Sequence, residues 1–418
     1  MRRCTAWVGF GLILAMGCDG STTSAGDDGG GPSDAGGGEI TTDSSIDPPP
    51  TGTDAGPGVL PGTDAGPMTP PVEPGTFDCA AAPGVTEGEP ITATAGEWTW
   101  AGFEEARCLD GSSTGIGVNP GTSDRLLIVL EGGGACFDFI SCAGVANRDG
   151  YGESKLERDA RSTLQRGIFD REDESNPFAD WSYVYVPYCT GDVHGGSNPT
   201  GPDDRVHVGY QNFGHFLTRI VPTFSEVSEV VLAGRSAGGL GTLVNYPQTA
   251  DAFGCTPVHA IDDAGGILPD EYMRPCLQTR VREAWNLAPA VPDECSECTG
   301  ADGGGLIHVL PHLASYYPDR RFAYISAMQD TVMRGFFGYG YSSGCDFPAD
   351  MPADDYAAGL LDARDLISGY DNFRTYYVAG TQHTFTGQEL GRTEVDDVPL
   401  GDWLGGMLGD GAWDDVGP

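Results

Sequence analysis

Apolar and polar positions along the chain fall into two interleaved patterns. The first is a short, continuous apolar run. Residues 124–130, 181–189, 227–233, 258–263, 321–326 and 375–379 each read this way, and Leu126-Leu127-Ile128-Val129-Leu130 is the clearest. Such runs suit strands buried on both faces of a parallel sheet. Residues 90–105 carry strand-like alternation with Trp98 and Trp100. The second pattern is helical spacing. Phe213, Phe216, Leu217, Ile220 and Val221 form one stripe within residues 212–224. Residues 156–169, 237–246 and 356–367 also read as helices. Strands alternating with helices predict an α/β fold with a mostly parallel central sheet covered by helices on both faces.

Neither pattern reaches the first 77 residues. Residues 1–17 read as a secretory signal, with Arg2 and Arg3 ahead of an apolar stretch over 7–16. That stretch is too short to span a bilayer as a helix. Leu14-Ala15-Met16-Gly17-Cys18 resembles a bacterial lipobox, which makes Cys18 the expected site of lipid attachment. The alternative is ordinary cleavage with Cys18 left as a spare thiol. Residues 18–77 are rich in Gly, Asp, Thr, Pro and Ser, and Gly-Thr-Asp-Ala-Gly-Pro starts at both Gly52 and Gly62. A segment with so few large apolar residues cannot offset its chain entropy by burial, so it reads as a tether. Residues 78–418 remain for one large folded domain.

Charge and cysteines narrow the function. With 22 basic and 61 acidic residues the net charge is −39, which excludes nucleic acid as a partner. It also disfavours a strongly anionic polymer as substrate. Ten cysteines lie beyond Cys4 and Cys18, an even number that suits disulfides in an exported domain. Cys255 with Cys276 is the preferred local pair. Cys295-x-x-Cys298 followed by His308 and His312 has the spacing of a zinc ligand set. Pro311 is expected to interrupt the helix those histidines would share, and neither a metal nor a cofactor is expected.

The chemistry starts at Gly234-Arg235-Ser236-Ala237-Gly238, directly after an apolar run and ahead of a helix pattern. A strand that turns sharply into a helix presents its serine at the apex, where it can act as a nucleophile. Glu131-Gly132-Gly133-Gly134-Ala135 follows an earlier run. In α/β-class hydrolases a loop in that position supplies backbone N–H groups to an oxyanion hole. Asp330 and His383 each follow a later run. Ser236, Asp330 and His383 therefore share the carboxyl edge of the sheet, in the order nucleophile, acid, base. Asp262 and Asp263 also follow a strand after Ser236 and compete with Asp330 as the acid.

Four blocks add a family resemblance. Leu130 to Cys136, Pro187-Tyr188-Cys189-Thr190-Gly191-Asp192-Val193, Gly234 to Gly239, and Asp263-Ala264-Gly265 resemble the signature blocks of the pectin acetylesterase/Notum family. The resemblance spans about residues 90–384. It implies an α/β-hydrolase fold, a metal-free triad of Ser236, Asp330 and His383, and an oxyanion hole from Gly133, Gly134 and Ala237. Two positions depart from the family. Ala135 stands where an aromatic usually follows the glycines, and His194 where Notum members carry tryptophan. With Arg235 these are the candidate pocket residues. The resulting expectation is an exported or surface-tethered serine carboxylesterase, with an acetylated polysaccharide as its ester substrate and a membrane reached only through the lipid on Cys18. The alternatives are a lipase-like or polyester-degrading hydrolase, with Met328, Met333, Phe336 and Phe337 around a larger acyl pocket, and a non-catalytic glycan-binding lipoprotein.

Overall fold

The apolar runs pair into one eight-stranded sheet. Its strands are β1 Thr99–Arg107, β2 Ser113–Asn119, β3 Arg125–Leu130, β4 Ser182–Val186, β5 Glu229–Arg235, β6 Val258–Asp263, β7 Phe322–Ala327 and β8 Phe373–Val378. Their spatial order is β1-β2-β4-β3-β5-β6-β7-β8. β2 runs antiparallel to both neighbours, and every pairing from β4 to β8 is parallel. This is the α/β architecture expected, described by a computed structural model covering residues 75–341, 344–409 and 413–418. The signal segment, Cys18 and all but the last three residues of the tether lie outside the described residues. Phe77, assigned to the tether above, already belongs to the folded body: its N–H donates to Tyr316 O at 2.8 Å and its ring lies 5.0 Å from that of Tyr317.

Alternation within each strand divides the core in two. Leu126, Ile128 and Leu130 join one cluster with Val230 and Leu232. Leu127 and Val129 join the other with Val231 and Ala233. Both faces are therefore apolar, and the strands read as continuous runs for that reason. The helices are α1 Phe139–Cys142, α2 Glu153–Asp159, α3 Gly209–Thr223, α4 Ala237–Phe253, α5 Pro275–Trp285, α6 Val309–Tyr316, α7 Thr331–Phe337, α8 Ala353–Ile367 and α9 Leu400–Leu408. Residues from α3, α4, α5, α6 and α8 fill the first cluster, and α2 and α9 cover the second. The helix expected over 156–169 ends at Asp159 and gives way to two short 3-10 turns. Gly167 accounts for part of this: its φ is +57°, and a Cβ there would lie 2.2 Å from Thr386 O.

The ten cysteines form five disulfides: Cys79–Cys255, Cys108–Cys189, Cys136–Cys142, Cys276–Cys345 and Cys295–Cys298. The pair Cys255–Cys276 expected from proximity is not formed. Cys255 bonds a cysteine 176 positions away, a separation the chain closes only through tertiary folding. Cys295 and Cys298 bond each other, which withdraws both from the zinc set. Pro311 does not interrupt α6; it sits in the first turn, where its missing N–H is not needed.

Candidate active site

Ser236 stands alone between β5 and α4, at φ 55° and ψ −121°. A non-glycine residue pays for such a conformation in backbone strain, and strained backbone of this kind collects at functional sites. The turn is tight enough that a Cβ on Gly234 would lie 1.9 Å from Gly238 O. Only glycine fits there.

The loop after β3 closes on this elbow. A Cβ on Gly132 would lie 2.5 Å from Arg235 O and 2.8 Å from Ser236 Cβ, so the two chains touch through the missing side chain. The N–H groups of Gly133, Gly134 and Ala237 have no acceptor among the described residues. The last of these opens the 17-residue α4, whose N-terminus favours negative charge. Tyr188 braces the loop by donating its hydroxyl to Gly134 O at 2.8 Å while accepting Val193 N–H at 2.9 Å.

Asp330 follows β7 and is fully buried. Its Oδ1 accepts from Val332 N at 2.8 Å and Met333 N at 3.0 Å, capping α7. Its Oδ2 lies 2.7 Å from His383 Nδ1. That contact fixes the ring and leaves Nε2 as the free nitrogen. Neither His383 Nε2 nor Ser236 Oγ makes a hydrogen bond among the described residues. In unliganded hydrolases such contacts commonly tighten only when substrate binds.

The competing acids have other partners. Asp262 accepts from Gly265 N at 2.7 Å, and its Oδ2 is buried without a partner among the described residues. Burial pushes its pKa well up. Asp263 faces the loop that follows His383: its carboxylate accepts from Phe385 N and from the N–H and hydroxyl of Thr386. Burial raises its pKa, and the bonds from Thr386 and Phe385 and the charge of Arg235 work against that rise.

The candidate pocket residues separate. A small apolar cavity of about 50 Å³ is lined by Ser236, Ala135, Val193, Leu240, Met333 and Phe336, among others. Ala135 is among the lining residues. His194 and Arg235 are not in the lining. His194 is buried, with Nε2 2.8 Å from Glu131 O, and burial is the main cause that lowers its pKa. Arg235 turns away to an ion pair with Glu131. Burial works against its charge, but Glu131, Tyr185 and Asp263 more than offset this and its pKa is raised. Both side chains serve the loop between β3 and α1. Of the four residues proposed for a larger acyl pocket, Met333 and Phe336 line the cavity, whereas Met328 and Phe337 are buried in the core. Val193 and Leu240 were missed; Val193 has φ 52° despite its branched Cβ, and nothing in its sequence context signals that.

Sheet order, elbow and glycine loop together define an α/β-hydrolase. The solved structure of the Wnt deacylase Notum from Drosophila shares this fold, with TM-score 0.56 and 18% identity over 77% of this chain and 95% of that one. The model of the family described as Pectinacetylesterase matches residues 99–296. The palmitoleoyl-protein carboxylesterase NOTUM of Schmidtea mediterranea is 33% identical over 34% of this chain and 28% of its own. Pectin acetylesterase 5 of Arabidopsis thaliana is 27% identical over 44% of each chain. Over the matched residues the chain is similar to the pectinacetylesterase/NOTUM family of carboxylesterases. The chain matches less than half the length of the Schmidtea and Arabidopsis relatives.

Proposed function

We propose that this chain is an exported serine carboxylesterase that removes short acyl groups, acetyl foremost, from a polysaccharide or a related ester. Ser236 Oγ attacks the ester carbonyl while His383 Nε2 takes its proton. Asp330 holds the imidazole and stabilises the cation that forms. The N–H groups of Gly133, Gly134 and Ala237 receive the oxyanion. His383 then protonates the leaving alcohol, and a water activated by the same ring hydrolyses the acyl-enzyme.

One observation carries the reading: an imidazole fixed 2.7 Å from a buried carboxylate shares a sheet edge with a serine in a strained strand-to-helix turn. The small cavity supports a short acyl group. A single water needs about 10–15 Å³, so about 50 Å³ suits a group of a few atoms. The net charge of −39 favours a neutral glycan over a polyanionic one. Export is supported by the five disulfides. A lipid on Cys18 and a tether over residues 18–77 complete the proposal, with the enzyme held at a membrane surface.

Ser236→Ala tests it. Turnover of p-nitrophenyl acetate should fall by about 10³-fold or more, and labelling by a fluorophosphonate should disappear. Undiminished turnover in that variant overturns the reading. For the anchor, labelled palmitate incorporation should be lost in Cys18→Ser.

A further inference from the structure

Asp263 lies at the carboxyl end of β6, between the strand that leads to Ser236 and the two that lead to Asp330 and His383. Its backbone oxygen accepts Ser236 N–H at 2.7 Å. Its carboxylate accepts Phe385 N–H at 3.0 and 2.9 Å on its two oxygens, Thr386 N–H at 2.7 Å and the Thr386 hydroxyl at 2.7 Å. One fully buried residue therefore grips the elbow with its main chain and the histidine loop with its side chain.

The histidine loop needs such a grip. Thr384, between His383 and the clamped pair, has φ +64°, a conformation costly for a β-branched residue. A strained residue persists only where its surroundings over-determine it. On one side His383 is held by Asp330. On the other, Phe385 and Thr386 are held by Asp263, and Thr386 O accepts Ile168 N–H at 2.8 Å.

We propose that Asp263 is a positioning residue, which sets the distance and direction of His383 Nε2 relative to Ser236 Oγ by fixing both chain segments to one point of β6. The inference rests on the roles given above to Ser236 and His383. Asp263 itself touches no reacting atom.

The test is Asp263→Asn in the full chain. An amide of the same shape can accept on only one side: with its oxygen kept toward Thr386, its NH₂ would face the N–H of Phe385, donor against donor. Misplacing a reacting group by about 1 Å costs on the order of 10²-fold in rate. The expected result is a fall in kcat of that order on p-nitrophenyl acetate, with KM little changed. The low-field Nδ1–H proton resonance of His383 should shift or broaden while the thermal transition remains cooperative. A folded variant with wild-type kcat overturns the proposal, as does a kcat loss that only follows the folded fraction with the resonance unmoved. If Asp263→Asn does not fold, Thr386→Val decides. It removes a single hydroxyl, and a smaller kcat loss at constant KM is expected; an unchanged kcat overturns. Ser236→Ala separates the two levels: if it is active the functional reading fails, and if it is inactive while Asp263→Asn is normal, only the positioning role fails.

Discussion

Glu131 and Arg235 meet across the seam between β3 and β5. Glu131 directly follows β3 and precedes the glycine loop, and Arg235 ends β5 and precedes the elbow serine. The Arg235 side chain is 8% exposed and that of Glu131 21%. Glu131 is tied three ways: its carboxylate to Arg235 and to Gly132 N–H at 3.1 Å, and its carbonyl to His194. The pair is thus a strut between the expected oxyanion donors and Ser236.

A strut of this kind predicts non-additive mutations. Arg235→Met leaves Glu131 charged and poorly solvated, and removing one partner of a buried pair costs about 3–5 kcal/mol. Replacing both, as Glu131→Gln with Arg235→Met, removes the stranded charge and should recover part of that loss. Denaturant unfolding of the two single variants and the double variant measures the coupling. Losses that simply add would show that the pair is not a unit.

Asp330 does two jobs with its two oxygens, and substitutions can divide them. Asparagine is as good a helix cap as aspartate, so Asp330→Asn should fold with nearly native stability. It cannot hold the imidazole in the same tautomer or stabilise its cation, and kcat should drop by about 10⁴-fold. Asp330→Ala loses the cap as well and should cost a further 0.5–2 kcal/mol or so. Steady-state kinetics with thermal melts on both variants would check this. Equal stability of the two would mean that the cap contributes nothing.

The sheet was legible in the sequence because its strands are buried on both faces, and apolar runs such as Leu126 to Leu130 admit few other readings. β2 was not, because Ser113-Thr114-Gly115-Ile116-Gly117 is too glycine-rich to stand out. The spacing of Ser236, Asp330 and His383 after successive runs was enough to bring them to one edge on paper. The direction of a side chain was not legible. His194 and Arg235 flank motif residues, yet each points to Glu131, which is 63 and 104 positions away. The competition between Asp262, Asp263 and Asp330 could not be decided from strand ends alone, since all three follow one; the hydrogen bonds of Asp263 to Phe385 and Thr386 are long-range facts. Disulfide pairing failed for the same reason.

His194 predicts how stability depends on acidity. An unfolded histidine takes up a proton near pH 6.5, whereas burial holds the pKa of folded His194 lower. Between those two values the unfolded state binds more protons, so stability declines as pH falls below about 6.5 and levels off under the folded-state pKa. His207, also lowered by burial, adds to the decline. Asp262 acts in the opposite sense, because its raised pKa favours the folded state in acid. The contribution of His194 is isolated by difference: His194→Gln keeps a donor for Glu131 O, and its unfolding free energy should fall less steeply on acidification than that of the unaltered protein. Parallel curves would mean that His194 titrates alike in both states.

The cavity beside Ser236 predicts acyl-chain selectivity. Its lining of Ala135, Val193, Leu240, Met333 and Phe336 is apolar, and at about 50 Å³ it leaves little room for a longer chain. Each methylene that a hydrophobic pocket must accept or reject changes kcat/KM by about 10-fold or more. Across a p-nitrophenyl series, kcat/KM should therefore be greatest for acetate and fall steeply by hexanoate. Phe336 sets one wall, packed at 6.1 Å ring to ring against Phe137. Phe336→Ala should open that wall and move the optimum toward butyrate or hexanoate, with acetate turnover lowered less than longer esters gain. If the profile keeps its shape in the variant, the acyl group does not enter this cavity. The cavity would then receive the alcohol side of the ester, and its size would limit the leaving group in place of the acyl chain.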